Sequence, residues 1–367
     1  MALLIRRAAL LPFAVCGCFQ STFLDGLPCE KKRDCDGQHC IDGFCGGPPE
    51  TSTTGASATT TTSATMTTDA TTTDATTTDA DESSSSSGGP ACELPPHQSC
   101  DGSNTLLLAL ELGCAGEWPA VSATMGATQS FSTSAAIGGF SPRAGERFAI
   151  VGSGLASELT MVPPKGDPPS MPMFCSDDVV TDDVLELPSP LTAEAPAGDC
   201  IDDPALIGEM LDCSHTLTDA VTQVRDYAEL RVGMEVPDGA RSFSFDFAFS
   251  STEFPAYQGM MYNDLFVAWL VSDMWTGNVA FAGGSPISVN SDLLLPAGAT
   301  AALVADTCMR DHGTTGWLTT SAPVEPGEEI AIVFAVFDQG DSIVDSFVFL
   351  DAFAWSCAPV GQPETHA

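Results

Sequence analysis

Oxygen-rich side chains that could bind a metal ion are concentrated in two short stretches of the second half of the chain. They are five carboxylates and one amide, at Glu253, Asn263, Asp264, Asp338, Asp341 and Asp345. If the fold brings the two stretches to one end of the molecule, these hard oxygen ligands suit calcium, at distances of about 2.3–2.6 Å. The spacing is not that of an EF-hand loop, and Asp and Asn also cap turns by bonding backbone amides. The sequence therefore leaves two interpretations, a calcium site or a set of turn-forming residues.

Signatures of common catalytic sites are missing from the sequence. It has no G-x-S-x-G nucleophile turn, no H-E-x-x-H zinc motif and no phosphate-binding glycine loop. Paired carboxylates such as Glu253 and Asp264 could serve a glycosidase, so a surface hydrolase is kept as the alternative function. Tryptophans can stack on sugar rings; Trp275 is expected to be exposed, whereas Trp269 and Trp355 lie in apolar segments. We expect no catalytic residue and no enzymatic activity.

The N-terminus has the features of an export signal. Two arginines precede an apolar run that is too short to span a membrane. The next residues, VCGC at 15–18, resemble the lipobox of bacterial lipoproteins, which makes residues 1–17 the signal peptide and Cys18 the lipidated residue. Ordinary cleavage and free secretion are the alternative. Because Phe19 is not the aspartate that would suggest retention at the inner membrane, we expect an outer-membrane or cell-surface lipoprotein of a Gram-negative-type bacterium.

Cysteine usage indicates an oxidising compartment. The chain has 14 cysteines; setting aside Cys16 of the signal peptide and the lipidated Cys18 leaves an even number that can pair completely. We expect disulfides at Cys29, Cys35, Cys40, Cys45, Cys92, Cys100, Cys114, Cys175, Cys200, Cys213, Cys308 and Cys357. The first four lie in a small module over residues 18–47. Zinc is the competing interpretation there, but the module lacks the C-x2-C pairs of common zinc sites.

Charge and low complexity define the rest of the organisation. Residues 48–90 are mostly Thr, Ser, Ala, Asp and Gly, which is the composition of a disordered linker. The formal net charge is -37, and residues 91–367 alone contain 38 acidic and 7 basic residues, a net of -31. Such a surface repels nucleic acid and anionic lipid heads and attracts cations. Solubility is an equally simple explanation of the acidity.

Residues 91–358 are predicted to form an all-β domain. Phe243, Phe245, Phe247 and Phe249 alternate with small or polar residues, a period of two that places four rings on one face of a strand. Further strands are predicted over 147–151, 227–236, 265–271, 278–282, 330–337 and 346–355, while 106–112 fits a short helix or a buried strand. Turn signals about every ten residues indicate a β-sandwich of jelly-roll type, followed by a flexible tail over 359–367.

Three motifs in this domain together resemble the choice-of-anchor L family of exported bacterial proteins. They are S-x-E-[FY]-P at 251–255, N-D-x-F at 263–266 and D-x-x-D-x-x-x-D-S at 338–346, and the resemblance extends over about residues 106–357. It implies a surface or secreted β domain without an established enzymatic activity. We therefore expect a lipid-anchored surface protein whose sandwich mediates adhesion or binds a glycan or protein ligand, with calcium as the candidate stabilising ion and no nucleic-acid partner.

Overall fold

The computed structural model describes residues 94, 97–100, 105–114, 116–162, 175, 185–192, 223–260, 262–282, 285–291, 293–294, 300–340 and 342–367, with a short hairpin near the N-terminus. The chain divides into two units, Met1–Pro49 and Glu50–Ala367. In the first unit, β1 (Cys40–Ile41) pairs antiparallel with β2 (Phe44–Cys45). The predicted signal peptide and linker, and the rest of the predicted cysteine module, lie outside the described residues.

The second unit is built almost entirely of strands. Its regular elements, in chain order, are α1 (Leu106–Ala109), β3 (Ala120–Met125), β4 (Phe131–Ser134), β5 (Phe148–Gly152), β6 (Leu185–Glu186), β7 (Gln223–Glu235), β8 (Ser242–Ser251), β9 (Leu265–Val271), β10 (Thr276–Asn278), β11 (Phe281–Ala282), β12 (Ser285–Ser288), α2 (Ala301–Val304), β13 (Gly313–Thr314), β14 (Leu318–Pro323), β15 (Glu329–Asp338), β16 (Ser346–Ser356) and β17 (Glu364–His366). Two short 3-10 helices cover Thr128–Ser130 and Ala156–Thr160. No helix within these ranges is long and apolar enough to cross a membrane.

The strands form two antiparallel sheets. The eight-stranded sheet has the order β11-β12-β9-β15-β7-β3, with β10 on β9 and β6 on β7; the seven-stranded sheet has the order β17-β14-β8-β16-β5-β4, with β13 on β8. Consecutive long strands alternate between the sheets, since β7, β9 and β15 belong to the first and β8, β14 and β16 to the second. The predicted all-β sandwich is therefore confirmed, and each predicted strand has a counterpart within a few residues.

The main core lies between the two sheets. All four phenylalanines of β8 are at most 1% exposed and belong to one apolar cluster that includes residues of β7, β9 and β15. Phe245 meets Phe334 with ring centroids 5.1 Å apart, and Phe247 meets Phe266 at 4.9 Å. Because each buried aromatic ring removes about 150–250 Å² from water, this face of β8 is a main source of the stability of the sandwich.

The outer faces of both sheets are covered as well. Ala248, on the face of β8 opposite the rings, packs with Phe148 and Phe349 beneath the segments around Leu159 and Met309. On the other sheet, Tyr227, Trp269 and Phe337 lie in a third cluster under Leu191. The face of β8 that carries the small or polar residues is therefore buried as well, because other segments of the chain pack over it. This double burial explains why β15 is apolar on both faces.

Three local expectations are settled by the structure. Of the two interpretations of 106–112, the short helix is correct, over Leu106–Ala109. The flexible tail predicted over 359–367 is wrong for Glu364–His366, which form a strand on β14. Trp275, expected to be exposed, is 0% exposed, because a turn held by the Ser272 hydroxyl folds it back into the core.

Candidate functional site

The predicted acidic residues lie where four central strands begin or end. Glu253 follows β8, Asp264 precedes β9, Asp338 ends β15 and Asp345 precedes β16. Strand pairing brings these strand ends together. Ser346 pairs with Ser251 in one sheet, and Phe337 pairs with Leu265 in the other. Because antiparallel neighbours bring an end and a beginning together, all four side chains collect at one end of the sandwich, between the sheets.

We call Glu253, Asp264, Asp338 and Asp345 the acidic cluster. Their exposed fractions are 1%, 1%, 2% and 7% respectively, so the sequence prediction located the stretches but not their burial. Carboxylates are seldom buried this completely without a partner, because the desolvation of each charge is costly. Each buried carboxyl group of the cluster therefore needs a hydrogen bond, a proton or a cation to offset its desolvation.

Hydrogen bonds satisfy part of the cluster. The Ser346 hydroxyl donates to Asp264 Oδ2 over 2.5 Å, and the Asp264 backbone N–H donates to Glu253 Oε2 over 3.3 Å. On the far side, the carbonyl of Cys175 accepts from the Asp345 N–H over 3.2 Å and from the Thr252 hydroxyl over 3.3 Å. These contacts connect the loops that surround the cluster.

Asp338 is the exception among these residues. Neither of its carboxylate oxygens has a hydrogen-bond partner among the described residues, although the residue is 2% exposed. Ser153 lies nearby and favours the charged form, but its hydroxyl is directed at the Ser346 carbonyl, 3.5 Å away. Two unpaired oxygens on a buried carboxyl are uncommon in native proteins and indicate a proton or an ion at this position.

Burial and mutual repulsion make the cluster reluctant to ionise. Burial raises the pKa of Asp264 well above its usual range and the charge of Glu253 adds to this, while the Ser346 hydrogen bond opposes it. Burial also raises the pKa of Asp338 well above its usual range, with the charge of Asp264 as the next cause. Without a cation, these carboxyl groups therefore release their protons at a higher pH than exposed carboxyl groups do.

Residues that the sequence analysis did not select complete the surroundings. Asp226 lies in the β-bulge of β7, next to Arg225, the residue that pairs with Asp338; its φ is 45°, and its charge contributes to the raised pKa of Asp338. Gly154 has its backbone against the Asp345 carboxylate, where an added Cβ would come within 1.9 Å of Oδ2. Asp226 could not be selected from the sequence, because Asp is common in turns and its left-handed backbone conformation is apparent only once β7 is known.

Two predicted ligands behave differently from the rest. The Asn263 side-chain oxygen accepts a hydrogen bond from the Asn290 N–H over 3.0 Å, so it caps a neighbouring turn instead. Asp341 lies outside the described residues. Within the described part of the chain, no three His, Cys, Asp or Glu side chains are arranged as a ready-made metal site. The cluster is therefore a buried set of carboxyl groups with raised pKa values, which an ion could enter only with some rearrangement.

Disulfides stabilise the same region. Cys175 bonds Cys308 across 133 residues, and the Cys175 N–H donates to Glu158 Oε2 over 2.6 Å. Cys100 bonds Cys114, and Cys357 is disulfide-bonded as well. Five of the predicted disulfide cysteines are thus confirmed; the pairing of Cys29, Cys35, Cys40, Cys45, Cys92, Cys200 and Cys213 stays a prediction.

Comparison with known proteins finds one family similarity, in the second half of the chain. Residues 217–356 match the family model of the Choice-of-anchor L domain. The match begins at residue 217, so the upstream part of the resemblance lies outside it, while all three motifs and the whole acidic cluster lie within it. No curated protein and no solved structure matches the chain. Residues 217–356 are therefore similar to the Choice-of-anchor L domain, a domain of surface-associated proteins that is not a known enzyme family.

Proposed function

We propose that this chain is a lipid-anchored surface protein whose β-sandwich binds a glycan or protein ligand and is stabilised by calcium in its acidic cluster. The observation that carries the calcium part is Asp338, which is 2% exposed and whose two carboxylate oxygens have no hydrogen-bond partner in the described part of the chain. A bound divalent ion would supply the missing partner and cancel the repulsion among neighbouring carboxylates.

Calcium fits this environment better than other common ions. The candidate ligands are all carboxylate, hydroxyl or carbonyl oxygens, which calcium prefers, and it tolerates irregular ligand geometry. Magnesium demands a near-ideal octahedron and gives up its water reluctantly, which a buried cluster cannot easily accommodate. The strongly acidic chain, with its net charge of -37, raises the local concentration of cations. Asp341, which follows Gly340 in the sequence and lies outside the described residues, is included in the proposed calcium site.

Calcium is expected to raise the melting temperature of the protein. An ion that binds only the folded state contributes about 2.7 kcal/mol at a hundredfold excess over its dissociation constant, which for a domain of this size is roughly 5–10 °C. The measurement is differential scanning calorimetry of the purified full-length protein in calcium and in chelator at pH 8, with elemental analysis of the dialysed sample. Equal melting temperatures with no retained ion would show that the cluster is held by protons alone.

Binding is favoured over hydrolysis by the burial of the carboxylates. A glycosidase needs both carboxyl groups in contact with its substrate, whereas Glu253 and Asp264 are each 1% exposed. Trp275, the tryptophan expected to be available for sugar stacking, is buried too. A glycan array run beside a panel of glycosidase substrates tests the two functions against each other, and turnover of any substrate that requires Glu253 would favour the hydrolase.

The anchor is expected to be Cys18. It follows the short apolar run and a glycine, as a lipid-bearing cysteine does, and its use leaves an even number of cysteines. Cys18→Ser should release the protein from the membrane fraction or block its processing, whereas Cys16→Ser should leave it membrane-bound. Palmitate labelling of the Cys18→Ser protein, together with loss of labelling in Cys16→Ser, would assign the lipid to the other cysteine.

A further inference from the structure

A cavity of about 90 Å³ opens where the segment following the linker meets the sandwich, separate from the acidic cluster. Its walls are apolar and rich in aromatic rings, with Trp118, Phe353 and Trp355 beside Leu112 and Met234. Phe353 and Met234 are buried, while Trp118 and Trp355 are partly exposed at the mouth. The cavity therefore combines a fixed hydrophobic floor with two tryptophans that a ligand could reach.

One side of the cavity is a polar cluster of three charged residues. His97 is held between two carboxylates, with Nε2 2.7 Å from Glu111 Oε2 and Nδ1 2.6 Å from Glu117 Oε1. The Ser99 hydroxyl donates to the other oxygen of Glu111 over 2.7 Å. Both oxygens of Glu111 are thus engaged, whereas only one oxygen of Glu117 has a hydrogen bond to the described residues.

The charge balance at this cavity is negative. Although burial lowers the pKa of His97, hydrogen bonds to Glu111 and Glu117 and their charges outweigh it, so that the pKa is raised. One histidine faces two carboxylates here, so acidic groups outnumber basic ones beside the rings. The Glu117 side chain is 18% exposed, so the uncompensated charge lies toward the cavity mouth rather than deep in the core.

We propose that this cavity binds a small organic cation, a methylated ammonium group, between Trp118, Trp355 and Glu117. Aromatic rings attract weakly hydrated cations through their quadrupoles, and a neighbouring carboxylate adds charge complementarity. The inference goes beyond the proposed calcium and surface-display functions and depends on neither. The proposed small-molecule site is formed mostly by residues outside the range that matches the family. Only its β7 and β16 side chains lie within that range.

Size and charge exclude the other simple ligand classes. Pockets for drug-sized ligands have volumes of about 300–1,000 Å³, so a cavity of about 90 Å³ accepts a head group rather than a sugar ring. Anions are repelled by the two carboxylates and by the acidic chain. A metal ion would have to break the hydrogen bonds that already join His97 to Glu111 and Glu117, and the described residues contain no group of His, Cys, Asp or Glu arranged to hold one. A quaternary ammonium group needs no hydrogen bonds and loses little hydration on entering.

The test is a titration of the purified full-length protein with tetramethylammonium and choline, followed by calorimetry and tryptophan fluorescence. Its control is 3,3-dimethylbutan-1-ol, which has the shape of choline without the charge. We expect saturable binding of both cations, at least tenfold tighter than binding of the neutral alcohol. Equal affinity for choline and the alcohol, or no saturation with either cation, would overturn the proposal.

Two variants and one matched control locate the site. Glu117→Gln keeps the shape and removes the residual charge, so it should weaken choline binding at least tenfold and leave the alcohol unaffected. Trp118→Leu should abolish the fluorescence change. Glu364→Gln, a surface carboxylate on β17 at the opposite edge of the seven-stranded sheet, should have no effect. Unchanged choline affinity in a folded Glu117→Gln protein would contradict the assignment.

A vesicle experiment then distinguishes two sources of the same head group. The protein used here carries Cys18→Ser, so that the proposed lipid anchor cannot cause flotation. If this protein floats with phosphatidylcholine vesicles and free choline displaces it, the ligand is a lipid head group. If free choline binds and the protein does not float, the ligand is a soluble molecule. Each result supports the site, and flotation that choline does not reverse counts against it.

Discussion

Replacing Asp338 by asparagine is expected to stabilise the protein in chelator at pH 8 and to abolish its response to calcium. The buried carboxylate has no hydrogen-bond partner and faces other carboxylates, so removing its charge relieves both desolvation and repulsion. The amide keeps the shape of the side chain and can donate to Asp264. We expect the melting temperature in chelator to rise by several degrees and the calcium-dependent increase to disappear, both measured by calorimetry.

The pH dependence of this effect has a definite sign. Asp264 and Asp338 have raised pKa values in the folded state, and burial raises the pKa of Asp351 to about 7. The folded protein therefore binds more protons than the unfolded chain between about pH 4 and 7, and its stability falls as the pH rises through that window. Calcium competes with the same protons, so its stabilising effect should be larger at pH 8 than at pH 5.

The matched control for Asp338 is Asp306→Asn, which changes an exposed aspartate outside the cluster. It should alter neither the melting temperature in chelator nor the shift produced by calcium. If Asp338→Asn lowers the melting temperature in chelator and retains the calcium shift, the Asp338 carboxylate is satisfied by a protein group and plays no part in binding an ion.

Removing the Cys175–Cys308 disulfide is expected to cause the largest loss of stability of any pairwise change discussed. In the chain-entropy account, a closed loop of 133 residues contributes about 5 kcal/mol, against about 3 kcal/mol for the 14 residues between Cys100 and Cys114. The first figure is comparable with the whole stability of a small domain, about 5–15 kcal/mol. Cys175→Ala with Cys308→Ala should therefore leave the protein unfolded or nearly so at 37 °C.

The two disulfides also differ in what they position. The Cys175 backbone bonds Glu158, Thr252 and Asp345, so its loss should loosen the acidic cluster and weaken calcium binding in addition to lowering stability. Urea unfolding curves in calcium and in chelator measure both effects, and Cys100→Ala with Cys114→Ala is the control. A cost no larger than that of the control pair, with an unchanged calcium shift, would contradict this role.

The strands were predictable because their cause is local. A period of two in β8 and continuous apolar runs in β9 and β15 determine how each segment can be buried, whatever the rest of the chain does. The location of the acidic cluster followed from the same reasoning, since Glu253, Asp264 and Asp338 are each adjacent to such a strand. The burial of these carboxylates could not be predicted, because the segments that cover them show neither helical nor strand periodicity.

The remaining differences have the same origin. Trp275 is flanked by Met274 and Thr276, which suggests a surface turn, but two hydrogen bonds to the Ser272 hydroxyl close the turn and place the ring inside. The contact of Asp226 with Asp338 depends on a β-bulge in β7, which is a property of the strand pair. The His97 cluster joins residues that are 14 and 20 positions apart by side chains alone, with no motif to reveal it.

The positions of β15 and β16 in the sheets have a consequence for how the exported chain acquires its structure. These two strands come late in the sequence, yet each lies between two long neighbours that were made earlier, β7 and β9 for one and β5 and β8 for the other. Until residue 356 has crossed the membrane, neither sheet can close, and the apolar faces of the earlier strands stay uncovered. Such long-range pairing is slow, in the range of milliseconds to seconds. Chaperones would therefore meet this chain as an open intermediate with exposed apolar surface, and premature termination near residue 329 would leave two aggregation-prone half-sheets in place of a smaller domain.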